Sequence, residues 1–509
     1  AVADGAAAPG AGSAQDAALS QAPPAPRCPG NARRRLTDEE RDMLRGTWPL
    51  DIVEDPAKQP RYIQDPVDFL RELLLGDHTE EMVILPRGID LLGLSWDDCI
   101  PGDLQEALRG CADIPSFLRS LRKRPEALDK YRADIEYVDG KRRQKDILRK
   151  MKLDLGRRID EALQMAEDGA VDPALLYVAE MRVKQERPHP VGGDKAKTVC
   201  LRDAKDLLGP YGSWMMYWDR YDEGFFVGGR GSGKGIHIDQ VLWSNIGKNW
   251  RGHKLLASWP KGDVSKQVAK EFEDVLLSPP LSDNELQALR TAARVALLRP
   301  GDVYMFSGGT AHTALCVSDD ICCGAYESFV PLHPAHVDLY LRTSDAIGRR
   351  AARRGARIGG GSRRARWRPY SCGGFVMSSK EFRETKDDSV DLLEDACDQL
   401  EEGGPNAAAA RREAAARSAA PACWTALLEP LHSDEAFQAA LRRHWAGAVA
   451  RAAGDAFIAQ ILPRHVREEA AALGARFPEI PRKRRKRDGP QEPSRSASRS
   501  PSTPHAASV

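Results

Sequence analysis

The stretch FFVGGRGSGKGIHIDQVLWSNIGKNWRGHKLLASWP, residues 225–260, decides how this chain is read. Its short apolar runs at 225–227 and 255–259 are separated by Gly and Asn, the pattern of strands joined by tight turns. In an extended segment His237 and Asp239 lie two residues apart, so both side chains leave the same face. An imidazole beside a carboxylate makes two corners of a facial triad. A third ligand from a distant strand would complete a non-haem iron(II) site with open positions for a co-substrate and dioxygen. The His-x-Asp spacing alone occurs by chance in any long chain, so it needs that third residue.

A candidate comes later, in RPGDVYMFSGGTAHTALCV, residues 299–317. Pro300-Gly301-Asp302 reads as a turn, 303–306 as a strand and Ser307-Gly308-Gly309 as a second turn. His312 opens the next strand, so the hairpin returns a histidine toward the first pair. Around these two stretches β-like runs dominate from about Asp172, where Tyr177, Ala179, Met181 and Val183 alternate as in a half-buried strand. Further runs lie at 214–218, 295–298 and 322–330, with helical inserts near 265–277 and 283–293. Many short strands with turn signals predict a sandwich or barrel. Five of the ten tryptophans (214, 218, 243, 250 and 259) crowd here, which a dense core explains without a binding role.

Here the text resembles jumonji C domains. Val227-Gly228, Gly231-Ser232, His237-x-Asp239, Asn245, Gly252-x-Lys254 and Pro260 follow that family's first motif in order, and the Pro-Gly-Asp turn, the Gly-Gly turn and His312 follow its second. The resemblance covers about a third of the chain and implies an α+β protein with a double-stranded β-helix (jelly-roll, cupin-like) core. It implies an iron(II)- and 2-oxoglutarate-dependent dioxygenase with His237, Asp239 and His312 as catalytic metal ligands. The co-substrate would be decarboxylated to succinate while a C–H bond is hydroxylated, or an N-methyl group removed through its hydroxylated form. 2-Oxoglutarate would leave its distal carboxylate inside the barrel, and a buried carboxylate needs a positive partner. Lys254 is the candidate, with Asn245 lining the pocket. Where the family often has a small polar residue, three before the first histidine, this chain has Lys234, a second candidate for the same role.

Two other functions compete. Gly228 to Lys234 (GGRGSGK) fits a phosphate-binding loop, but that loop next needs Ser or Thr and a helix N-terminus, whereas Gly235 and a strand-like IHIDQV follow. A catalytically inactive jumonji-like binding module is the other, disfavoured because all three ligand types are present.

The rest of the chain divides by composition. Residues 1–36 are an Ala/Pro-rich tail expected to be disordered. A helical region spans 37–170, where Asp65-Pro66, Phe69, Leu70, Leu73, Leu74 and Gly76 spell a capped helix, and Ile147, Met151, Leu155, Ile159 and Leu163 recur four apart. The β core occupies 171–345, a basic Gly/Arg-rich linker 346–375, a second helical region 376–480, and a basic, Ser/Arg-rich disordered tail 481–509. Lys+Arg number 75 against 74 Asp+Glu, so the whole chain is not a polyanion binder. The basic stretches at 349–368 and 482–487 are candidate nucleic-acid or chromatin contacts, the second also a nuclear localisation signal. No apolar run is long enough to cross a bilayer, so an intracellular protein is expected, nuclear by its basic tail; the resemblance implies a protein substrate. The ten cysteines form no C-x-x-C pair, and buried reduced thiols are expected.

Overall fold

The structure, a computed structural model, describes residues 34–76, 81–94, 96, 100–139, 141–144, 154–183, 216–217, 224–239, 244–331, 333–334, 370–372, 375–377, 422–454 and 464–477. The tails, most of the basic linker, and Trp214, Trp218 and Trp243 lie outside those residues. Fourteen strands in chain order build the two main sheets: β1 (Arg61–Tyr62), β2 (Val83–Leu85), β3 (Tyr131–Asp139), β4 (Arg142–Gln144), β5 (Leu176–Val183), β6 (Met216–Tyr217), β7 (Gly224–Gly228), β8 (Gly233–Ile238), β9 (Ser244–Arg251), β10 (Lys254–Ser258), β11 (Arg294–Leu298), β12 (Val303–Ser307), β13 (Ala311–Cys316) and β14 (Cys322–Pro331). The larger sheet runs β1-β2-β12-β9-β14-β7-β5-β3-β4, with β6 also on β14. The smaller runs β11-β10-β13-β8. Every pairing is antiparallel except β1 with β2.

From β7 to β14 the chain alternates between the sheets, apart from the consecutive pair β10–β11. That pair is separated by two helices, α1 (Asp263–Glu271) and α2 (Asp283–Ala292), close to the predicted inserts. Strand alternation then sorts the side chains. On β10, Leu255 and Ala257 join an outer core with Phe272, Leu289, Val295, Leu297 and Leu315, while Leu256 joins Ala296, Leu298, Tyr304, Phe306 and Ala314 in a separate cluster. The outer face of the larger sheet (Val178, Val227, Ile246, Met305, Ala325) is covered by Leu73, Phe117 and Ile159 from the N-terminal helices and by Leu441 and Trp445 from the C-terminal ones. One continuous core therefore unites both helical regions with the sheet.

Local signals explain the helices. Asp65 caps the Pro66–Leu75 helix by accepting from the Val67 and Asp68 amides, and Gly76 ends it at φ 73°. The helix on the four-residue stripe starts at Leu155, capped by Asp154, and buries Leu155 and Ile159; Ile147 and Met151 lie outside the described residues. The 37–170 region is not purely helical, because β3 and β4 extend the larger sheet. Tyr131, Ala133, Ile135 and Tyr137 are buried at period two, a strand signal that the surrounding helical spacing hides. The Gly228-to-Lys234 segment passes from β7 through a turn into β8, with no helix for phosphate to meet, which removes the nucleotide-loop reading. Of the tryptophans, Trp259 is buried and donates to the Ala288 carbonyl, and Trp250 packs edge-on to Trp96. Cys111, Cys316, Cys322 and Cys323 are buried thiols outside any disulfide. Among the described residues no helix is long and apolar enough to cross a membrane.

The turn feeding β12 is pinned by charge. Buried Asp302 accepts from the Arg299 amide at 2.8 Å and pairs with Arg34, while Gly301, at φ 91°, donates to the Asn249 carbonyl at 2.7 Å. Arg299 in turn pairs with Glu40, which closes a capping box with Thr37. Burial raises the Glu40 carboxyl, but the Arg299 guanidinium, the Thr37 amide and His253 together outweigh it and hold the carboxyl below its ordinary value. A carboxyl depressed in the folded state adds stability above its unfolded pKa and loses it as pH falls through the folded value. Glu40→Gln should therefore cost about 2 kcal/mol at pH 7, and the deficit should shrink toward pH 3. Urea midpoints at the two pH values test this; an equal deficit at both would show that Glu40 acts by packing alone.

Candidate metal centre and the pocket behind it

The ladder of the smaller sheet assembles the site. His312 on β13 pairs directly with His237 on β8, and Ser258 on β10 pairs with His312 from the other side. A β-bulge between His312 and Ala314 shifts the register, so Ala314 faces Lys234. Cross-strand partners share a face. His237, His312, Lys234 and Lys254 consequently all leave the sheet on the Leu256–Ala314 side, toward the larger sheet. Without the extra residue, Lys234 and His237, an odd number apart, would point opposite ways.

Asp239 stands just beyond β8. The Gly309 amide donates to its backbone carbonyl at 3.3 Å, from the turn that precedes β13. One donor atom each from His237, Asp239 and His312 falls within 4.8 Å of the others. Nε2 of His237 lies 3.6 Å from one Asp239 oxygen, and Nε2 of His312 lies 3.5 Å from the other. Each imidazole donates Nδ1–H to a backbone carbonyl, His237 to Gly235 at 2.8 Å and His312 to Thr310 at 3.0 Å. That bond fixes the tautomer and leaves the Nε2 lone pair for a metal. Phe306 lies against the His312 ring, centroids 4.4 Å apart. Asn245, on β9, donates its amide to Asp239 and so orients the carboxylate. Two imidazole nitrogens and one carboxylate oxygen within 4.8 Å of one another suit a divalent metal such as iron(II).

Behind the triad the same face leads to Lys254. It sits four residues from Ser258 along β10, about 13 Å at strand rise, with Leu256 between. Its side chain is buried, and among the described residues none gives it a carboxylate or a hydrogen bond. Burial works against its charge, yet the nearby Cys316, Tyr326, Cys322 and Cys323 side chains outweigh burial and hold it above its ordinary value. A Cβ on Gly324 would stand 2.7 Å from the Lys254 ammonium, so a side chain there would fill the ammonium's own space. Gly247 is restricted likewise, its Cβ position lying 2.1 Å from the Tyr304 ring. Tyr304 donates its hydroxyl to Tyr326; burial raises both phenols, Tyr304 well above its usual range, so both stay neutral donors. A cation that no described carboxylate pairs, beside neutral hydroxyls and on the same face as the triad with apolar Leu256 and Ala314 between, could meet the distal carboxylate of a short dicarboxylate.

Lys234 lies elsewhere on this face, in an ion pair with Glu180 of β5 at 3.3 Å. Sequence reading missed Tyr304, Tyr326, Gly324 and Glu180. Parity along β12 and β14 groups Tyr304 with Phe306 and Tyr326 with Gly324, but only the ladder shows that these faces meet Lys254.

No family model matches the chain, and no curated protein matches it. Among solved structures, the chain is similar to the X-ray structure of E. coli ycfD at 12% identity, covering 67% of this chain and 72% of that one, TM-score 0.30. It is likewise similar to Escherichia coli ribosomal oxygenase YcfD (12%, 66% and 68%, TM-score 0.28) and to YcfD in complex with cobalt and 2-oxoglutarate (13%, 61% and 63%, TM-score 0.26). Likeness of that degree decides neither activity nor substrate; the side-chain geometry has to.

Cobalt(II) absorption titrations measure the metal site directly. His237→Ala, Asp239→Ala and His312→Ala should each abolish binding at micromolar metal, and Asn245→Ala should weaken it by about 10- to 100-fold. Full affinity in Asp239→Ala would rule this cluster out as the metal site.

Proposed function

We propose that this chain is an iron(II)- and 2-oxoglutarate-dependent oxygenase, with β7 to β14 forming a double-stranded β-helix of the jumonji C kind. The observation that carries this is the pairing of two elements on one sheet face: a His-Asp-His cluster and, past Leu256 and Ala314, a buried lysine that no described carboxylate pairs. Either element alone has an ordinary explanation. Together they fit a metal chelated at one end of a dicarboxylate whose other end is neutralised inside the protein.

Iron(II) held by His237, Asp239 and His312 would supply, with 2-oxoglutarate and dioxygen, the oxidising power to hydroxylate a C–H bond while releasing succinate and carbon dioxide. The chain's own residues do the positioning. Lys254 takes the distal carboxylate, with Tyr326 beside it as a neutral neighbour. Leu256, Ala314, Phe306 and Tyr304 exclude water between the two ends, which strengthens every charge contact there. Asn245 and the two carbonyl-tethered imidazoles keep the ligand set from swinging. The substrate we propose is a protein side chain, through hydroxylation or removal of an N-methyl group from lysine, and the nuclear location remains part of the proposal.

Succinate formation from 2-oxoglutarate by protein given iron(II), ascorbate and air tests the reading. Turnover should vanish in His237→Ala. Lys254→Ala should raise the 2-oxoglutarate concentration needed by about 30-fold or more, the cost of leaving one member of a buried charge pair alone. A chain that neither turns over nor binds 2-oxoglutarate would be a binding module instead.

A further inference from the structure

The Lys234–Glu180 pair is unexplained by metal binding or by packing. Lys234 starts on the interior face: it pairs with Ala314, which pairs with Leu256, two residues from Lys254. Two strand spacings and a two-residue offset put the Lys234 and Lys254 Cα atoms about 12 Å apart, within joint reach of one small anion. The Lys234 carbonyl accepts from the Thr313 hydroxyl at 2.8 Å, which fixes its backbone, and its side chain is only 17% exposed.

Glu180 is brought to it by a local distortion. The β5–β7 register breaks between Val178 and Met181, and Glu180 sits in that bulge at φ 50°, a left-handed conformation that a non-glycine residue adopts at a cost. Bulges of this kind re-aim a side chain next to functional sites. Here the bulge directs a carboxylate from the larger sheet to an ammonium on the edge strand of the smaller one. The flanking Tyr177 and Ala179 belong to the same cluster as Phe226, Cys316 and Cys322, of which the two cysteines lie near Lys254.

Charge counting gives the pair a role. Lys254 alone matches the single negative charge at the distal end of a dicarboxylate. A second free ammonium on that face would favour a ligand with one more negative charge. We infer that Glu180 is a specificity-determining residue: by neutralising Lys234 it sets the pocket to accept a dicarboxylate 2-oxo acid and to discriminate against tricarboxylates. This rests on the oxygenase reading above and adds the charge rule by which the co-substrate is chosen.

Calorimetric titration of the full chain loaded with manganese(II) reads this without turnover, using 2-oxoglutarate and propane-1,2,3-tricarboxylate as probes. Glu180→Gln should tighten 2-oxoglutarate about three- to fivefold, the range for a partly exposed charge, and tighten the tricarboxylate by a larger factor. Lys234→Thr should weaken both, and the double variant should lose the gain of Glu180→Gln, because that gain acts through Lys234. A role limited to folding would shift the urea midpoint without reordering the two ligands. Unchanged affinities in Glu180→Gln and Lys234→Thr, or equal shifts for both ligands, overturn the inference while leaving the oxygenase intact. A parent chain that binds no 2-oxoglutarate sinks the oxygenase reading, and this inference with it.

Discussion

A buried ammonium is costly unless an anion meets it, and the interior of this protein holds one that no described carboxylate pairs. Lys254 stands at the start of β10, on the face between the sheets, where desolvation disfavours its charge. The surroundings do not remove the charge by supplying a carboxylate. They accommodate it: a glycine where a Cβ would collide, neutral tyrosine hydroxyls, and polarizable thiols. A fold that needed only stability would place an apolar residue at this position. The unbalanced charge is what the proposed dicarboxylate would complete.

The second constraint is register. Lys234 shares a face with both histidines, Ser258 and Lys254 only because β8 carries a bulge where it meets β13. A one-residue slip would send His237 into the outer apolar layer with Ile236 and Ile238. That layer resists the slip, since Ile236 and Ile238 are buried against Leu277 and Phe272, and the Ile236 backbone exchanges hydrogen bonds with Val275 and Asp274. The apolar face thus fixes the position of the polar one, and the metal cluster inherits its precision from packing several ångströms away.

This division explains what could be read beforehand. Turn chemistry and apolar runs mark β7, β10, β11, β12 and β14, and β8 and β13 are legible as the strands around their histidines, whereas Ser244–Arg251 carries no such run and β9 was not legible; His237, Asp239 and His312 were visible because ligand chemistry restricts residue type. The strands β3 and β4 were masked because Tyr131 to Tyr137 follow directly on the short, locally coded Pro125–Lys130 helix. Lys254 was legible as a candidate and Lys234 as an ambiguity. Glu180 was not legible at all, since its relevance depends on a bulge and on an edge strand of another sheet, neither of which local sequence specifies.

The two lysines also show why a charge on an interior face cannot be interpreted from its own strand. Lys234 and Lys254 occupy equivalent faces of neighbouring parts of one sheet, yet one has a carboxylate partner and the other has none. The difference comes from the opposite sheet, which presents a bulged glutamate to one and a bare glycine to the other. Residue type supplied two equal candidates; the facing layer made one a neutral pair and left the other a buried ammonium that no described carboxylate meets. In a protein built of two facing sheets, the identity of a binding residue is in this sense decided by the wall it looks at.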